Sequence, residues 1–414
     1  MFLEQRNNLF YIFLFIFASH ATANEIASSK LKFSGFATIG AVISDSDQYG
    51  YRKDIGSDEG VYSGEVDFKQ HSLLGLQANW FISSNFDAVY QGVLRDLAEP
   101  SLDRYTTQAF FRYEVNANWS VRVGRTAPDL FLLTEYRDID FSYIWATAPN
   151  EVYGIIPYRS IDGVDATYSQ RGFGGVFKTK LFTGSSEAEI SGKSIVEAVK
   201  IENIMGGSLS FDHFNWVIQA KYSQVEIANE PSSHTFLLGN ISQLPDFLWP
   251  NSLAFTQSLL LKGKKVNYSS VSSQYQWNNW LASAELSKIN SESDVIPKIT
   301  SGYGALSYQF NAHQLYGIYA FTDSNHYFFN EPGVNEAALE ELIYGTTELM
   351  NFYVPNQQTI SLGWRWDITN DTASTLQWNY TKIDDTGRLL WLNKSDDNVA
   401  ENVNTFLLTL SMVF

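Results

Sequence analysis

From residue 31 onward, apolar side chains recur at every second position. The final stretch, "NTFLLTLSMVF", shows the pattern: Phe406, Leu408, Leu410, Met412 and Phe414 alternate with positions that include Thr405, Thr409 and Ser411. Period two is the signature of a strand with one apolar face. Such segments, roughly 9 to 13 residues long, come in pairs joined by turns rich in Asn, Asp, Ser or Gly, as in "FFRYEVNANWSVRVG" and "SSQYQWNNWLASAEL". The pattern predicts strands over 31-43, 66-82, 85-96, 105-116, 118-126, 162-170, 174-183, 201-212, 213-226, 265-277, 280-290, 299-310, 313-323, 357-368, 372-384 and 403-414. About sixteen strands, with short and long connections in alternation, predict an all-β fold. It is a transmembrane antiparallel β-barrel with short periplasmic turns and long outer loops. The terminal strand is expected to pair with 31-43, because hydrocarbon does not tolerate an open sheet edge.

Aromatic residues support this reading. Trp80, Phe86, Trp119, Phe214, Trp216, Trp277, Trp280, Trp364 and Trp366 lie close to the predicted short turns, where an interfacial girdle is expected. Charged residues then orient the strands. Arg112 and Glu114 alternate with Phe111 and Tyr113, Arg122 with Val121 and Val123, Lys178 and Lys180 with Phe177 and Leu181, and Arg365 with Trp364 and Trp366. A basic residue facing lipid near the midplane costs about 2 to 4 kcal/mol. Arg112, Arg122, Lys178 and Arg365 are therefore expected to point inward at mid-height. Arg125 and Lys382 break the alternation but fall near the outer strand ends, where the penalty fades.

The run "LFYIFLFIFA" after Arg6, with "ATA" at 21-23, is too short to span a bilayer as a helix and reads as a signal peptide, residues 1-23, ahead of a mature chain of 24-414. The chain has no cysteine, so disulfides cannot hold the exported fold. A net charge of -17 argues against nucleic acid as a partner.

About sixteen strands enclose a lumen wide enough for water. The connection 127-161 is too long for an ordinary loop and too apolar for a solvated one: Leu130, Phe131, Leu132, Leu133, Phe141, Ile144 and Trp145 need burial. It is expected to fold into the barrel as a constriction. Asp129, Glu135, Asp138 and Asp140 would then face Arg112, Arg122, Lys178 and Arg365 across the lumen, screening solutes by charge or anchoring the loop.

The plan of signal peptide, alternating strands, terminal Phe414 and "NWSVRVGR" (118-125) leading into a long third loop resembles the Gram-negative porins. That resemblance implies a trimeric outer-membrane channel for passive diffusion of small hydrophilic solutes, in contact with membrane lipid and lipopolysaccharide. It also implies a C-terminal Phe read by the barrel-assembly machinery. The Pro-Glu-Phe-Gly-Gly type of constriction motif is replaced here by "APDLFLLTEYRD".

Other chemistry lacks a constellation. The six histidines are scattered without H-E-x-x-H spacing, "YSSVSSQY" (268-275) has no G-x-S-x-G context, and the glycines of "SGYGALSY" lack a phosphate-loop setting. No catalysis, cofactor or metal is expected. The alternative is a receptor or adhesin acting through its outer loops, since "PDFLWPNSLAF" (245-255) and 326-356 are aromatic. Within the latter, 336-349 is expected to form a short helix.

Overall fold

The computed structural model describes residues 30–192, 196–394 and 399–414. The expected signal peptide, 1-23, lies outside them. The strands are β1 (Leu31–Ser44), β2 (Tyr49–Tyr51), β3 (Leu73–Phe81), β4 (Phe86–Arg95), β5 (Thr106–Glu114), β6 (Trp119–Thr126), β7 (Ile161–Gly172), β8 (Gly175–Ser191) and β9 (Val196–His213). They continue with β10 (Trp216–Ile227), β11 (Lys265–Trp277), β12 (Trp280–Ser291), β13 (Ile299–Phe310), β14 (His313–Ser324), β15 (Gln357–Asp367), β16 (Thr372–Ile383), β17 (Trp391–Asn393) and β18 (Glu401–Val413). All but β2 and β17 form one closed antiparallel barrel of sixteen strands, in which each pairs with its neighbours in sequence and β1 pairs with β18. The closing register runs from Phe36 opposite Val413 to Ser44 opposite Thr405. Gly35 and Phe414 exchange two further backbone bonds, of 2.7 and 2.9 Å.

Alternation sets the two faces. In β18 and the residue after it, Phe406, Leu408, Leu410 and Phe414 are exposed on the outside, while Thr405, Leu407, Thr409 and Ser411 are buried inside. The same division puts Leu76, Tyr90, Phe111, Val123, Leu181, Val271, Leu286 and Leu362 outward, and Ser272, Glu285, Ser301 and Gln377 inward. At the short-turn end the rings of Tyr275, Trp277, Trp280, Tyr308, Phe310 and His313 pack in succession at centroid separations of 4.7–6.5 Å, and His313 continues to Trp364 and Trp366. This is the interfacial belt. Two of the tight turns rest on asparagines in left-handed conformation, Asn278 (φ 49°) and Asn311 (φ 53°), a region Asn tolerates better than most residues.

Three departures from the sequence pattern have local causes. Residues 66-72, expected as strand, form a turn, because the Asp67 carboxylate caps the backbone of Lys69 and Gln70 while Gln70 accepts from the Lys53 backbone. Side-chain bonds of this kind compete with the ladder. The hairpin of β8 and β9 is longer than expected, with 17 and 18 residues. After a bulge between Gly184 and Ser186 the pairing runs on from Ser186 opposite Ile201 to Ser191 opposite Val196. Crossing a bilayer takes roughly 9–11 residues, so the polar outer part, read from sequence as a connection, stands above it.

The third departure concerns the outer loops. Beyond the expected helix, found as a 3₁₀ turn (Glu336–Ala338) and an α-helix (Glu340–Asn351), there are helices at Ser232–Ser242 and Ser252–Leu259. Ile241, Trp249 and Leu339 form the buried centre where these loops meet.

Candidate functional site

The third connection, 127–160, lies within the barrel and is bonded to its inner wall along a circuit of strands. Near its start Asp129 accepts from Ser208 on β9 (2.5 Å) and Lys221 on β10 (2.6 Å). Leu130 O accepts from Ser270 on β11 at 2.9 Å, and the backbone N–H of Leu132 donates to Glu285 on β12. Further on, Arg365 on β15 donates to the carbonyls of Phe141 (2.9 Å) and Tyr143. The Ala146 N–H donates to Gln377 on β16 at 3.0 Å, Glu151 accepts from Gln357 and Thr359 on β15, and Tyr153 donates to Glu285 at 3.2 Å. Phe131, Trp145 and Tyr153 pack on the wall tyrosines Tyr268 and Tyr303 at centroid distances of 5.8–6.2 Å.

Two more connections join this mass. β2, in the first loop, pairs with β17, in the last. Buried Arg52 ties them together by donating to the carbonyls of Ser191 (2.6 Å) and Leu389. Tyr49, Tyr51, Ile55, Leu389 and Trp391 belong to the same apolar core as Leu130, Phe131 and Trp145. Within the lumen, loops therefore fill the side next to β9–β16. Burying this much apolar surface is what drives a loop rich in Leu, Ile and aromatics inward.

Toward β4–β8 the inner wall is more polar. Asp87, Arg112, Arg122 and Asp165 are consecutive cross-strand neighbours on β4, β5, β6 and β7. Arg112 donates to both carboxylate oxygens of Asp87 (2.9 and 3.0 Å), and Arg122 to those of Asp165 (3.0 Å each). The Arg122 guanidinium also lies 5.1 Å above the Phe110 ring centroid. Glu135, half exposed, is the loop carboxylate that approaches this wall, 3.7 Å from Arg122 and 3.5 Å from Lys180.

The residues singled out from sequence therefore separate into several settings. Arg112, Arg122 and Glu135 come together. Asp129 instead meets Lys221. Asp138 pairs with the loop's own Arg159 at 2.5 Å, and with Arg95 at 3.8 Å. Asp140 is partly buried in the third loop, where desolvation pushes its carboxyl up. The mid-height placement expected of Arg112, Lys178 and Arg365 is corrected, because all three sit near the short-turn end of their strands. Lys178 pairs with Asp212 at 2.7 Å, and Arg365 pairs with Asp367 at 2.8 Å while anchoring the loop.

Sequence reasoning missed Asp87, Asp165, Lys221, Glu285 and Glu151 as partners. Parity alone puts Asp87 and Asp165 inside, but pairing them with Arg112 and Arg122 requires the register. Arg125 lies near the outer end of β6, as expected. Gly124 adopts φ +128°, and a Cβ there would meet the Ala109 carbonyl at 2.3 Å. Next to it Arg125, in unbroken register with Ala109 and Asp162, is bonded to Asp162 at 2.6–2.7 Å and to Asp103 at 3.0 Å.

At the outer mouth a cavity of about 430 Å³ opens between the wall and the first and third loops, lined by Lys53, Asp54, Arg95, Arg104, Arg125, Asp138 and Arg159 among others. Burial pushes the Asp54 carboxyl up, but Arg159, Arg137 and Arg95 outweigh it and hold it well below the usual range.

No family model and no curated sequence matches the chain. Solved structures do. An anion-selective porin from Comamonas acidovorans aligns over 93% of this chain and 99% of its own, at 14% identity and a TM-score of 0.53. The outer membrane channel DcaP of Acinetobacter baumannii covers 93% and 97%, at 11% identity and a TM-score of 0.55. OmpF of Salmonella typhi, in complex with daunomycin, covers the same shares at 13% identity and a TM-score of 0.53. At these identities the likeness is one of fold: the chain has the sixteen-stranded fold of the Gram-negative porins.

Proposed function

We propose that this protein is an outer-membrane channel through which small hydrophilic solutes and ions diffuse passively. The observation that carries the reading is the one-sided packing of 127–160. The loop is bonded to β9–β12 and β14–β16, while on the other wall Arg122 and Lys180 approach the half-exposed Glu135 and Arg112 pairs with Asp87. A charged slot between a fixed loop and a wall of both signs would filter by size first and by charge second. On this reading residues 1–23 are removed on export, the exposed apolar band faces membrane lipid with lipopolysaccharide outside, and copies of the chain assemble as trimers. No step in such a role calls for catalysis. Planar-bilayer recording of the purified protein tests it: discrete ohmic conductance steps are expected, and a correctly folded barrel that stays insulating would overturn the proposal.

A further inference from the structure

Behind the third connection lies a smaller cavity, of about 30 Å³, where residues 147–151 meet β15, β16 and β18. Tyr51 of β2 and Trp391 of β17 close it, so the first, third and last connections border the same space. Roughly 10–15 Å³ is enough for one water. There is room for a small ion.

One charge faces this space. Glu151 is 1% exposed, and the lining contains no Lys, Arg or His. Other buried acids, Asp165 and Asp129, meet Arg122 and Lys221, but Glu151 makes no ion pair among the described residues. An ionised carboxylate held out of water without a counter-charge is costly.

The surrounding hydrogen bonds fix which atoms are left over. Trp391 Nε1 donates to Gln357 Oε1 at 2.6 Å, which turns the Gln357 amide nitrogen to Glu151 Oε1, 2.7 Å away. Thr359 donates to the same oxygen and accepts from Thr381. Gln377 Oε1 takes the Ala146 N–H and the Tyr316 hydroxyl, so its nitrogen donates to Asn379 Oδ1, and Asn379 in turn donates to Thr405. The amide donors are thereby spent on one another's acceptors. Among the described residues no side chain donates to Glu151 Oε2, and Ser361, buried in the same wall, makes no side-chain hydrogen bond.

What remains toward the cavity is oxygen: Glu151 Oε2 with the hydroxyls of Ser361, Thr381 and Thr405. Oxygen ligands carrying one negative charge suit a hard monovalent cation, whereas calcium takes six to eight oxygens and prefers more charge. We infer that the cavity holds a sodium or potassium ion, with Glu151 as its counter-charge and Ser361 and the threonines as further ligands. The ion would clamp the end of the third connection to β15, β16 and β18, whether or not the slot beside Glu135 conducts.

The thermal midpoint of the full-length, detergent-folded protein, read as loss of heat-modifiable mobility on gels, tests this in sodium, potassium and choline chloride at equal ionic strength. Choline is too large for the cavity. A saturable rise of about 2–5 °C over choline is expected in sodium or potassium. Glu151→Gln should abolish that increment, and Ser361→Ala should raise the half-saturating concentration about fivefold. Asp246→Asn, at an exposed loop carboxylate, should leave both unaltered. Should Glu151→Gln fail to fold, Ser361→Ala carries the test. Equal midpoints in the three salts would mean a protonated Glu151 in place of the ion and overturn the site, as would an increment that survives in folded Glu151→Gln. The midpoint is read without conduction: an insulating barrel would leave the ion site standing, and a midpoint indifferent to the salt would leave the channel standing.

Discussion

The Glu135 side chain is the residue on which selectivity should turn. It is half exposed and faces Arg122 and Lys180 at 3.5–3.7 Å, a spacing at which one unit charge is worth about 1 kcal/mol in a water-like medium. Glu135→Gln should therefore move the reversal potential in a salt gradient toward chloride, a change of a few-fold in permeability ratio, and Arg122→Gln should move it toward potassium. If neither shifts it, these side chains do not border the path.

Asp96 supports a prediction in pH. Its carboxyl is raised to about 6, chiefly by burial and then by neighbouring acids, against about 3.9 for a free side chain. The folded chain thus holds a proton there that the unfolded chain has released. Stability from this group is greatest below the unfolded value and falls as pH rises toward 6, then levels off. Asp96→Asn should remove that slope and raise the thermal midpoint at pH 8 relative to wild type. An equal midpoint for the two at pH 8 would remove Asp96 as a source of pH sensitivity.

Among elements, the third loop depends on a few anchors. Lys221 is buried against Asp129 and also donates to the Phe131 carbonyl. Removing one partner of a buried pair costs on the order of 3–5 kcal/mol, because the other is left uncompensated. Lys221→Met should free the start of the loop, giving larger and noisier conductance steps and faster proteolysis within 130–137. Asp129→Asn added to it should recover part of the loss. That the loop turns inward was legible in sequence from Leu130, Phe131 and Trp145, whose burial is a matter of composition. Which wall would hold it was not, since Ser270, Glu285 and Gln377 lie 140, 153 and 231 residues from the loop atoms they bind. Strands were legible wherever alternation met lipid. They were misread in 66–72, 184–191 and 196–200, where no hydrocarbon enforces a face and side-chain capping or plain polarity takes over.

At the scale of the whole molecule, closure rests on β1 meeting β18 with the Phe414 ring against Gly35, where a Cβ would come within 2.4 Å of it. Gly35→Val should slow assembly and lower the yield of heat-modifiable barrel; normal yield would show that the seam tolerates the crowding. The belt of rings around the short-turn rim has an optical consequence. Trp119, Trp280, Trp364 and Trp366 are exposed at that level, whereas Trp145, Trp249 and Trp391 are buried. Brominated acyl chains in reconstituted vesicles should therefore extinguish one share of the intrinsic emission and leave a blue-shifted remainder. That remainder would report on the loops inside and over the barrel, a built-in gauge of whether they stay seated.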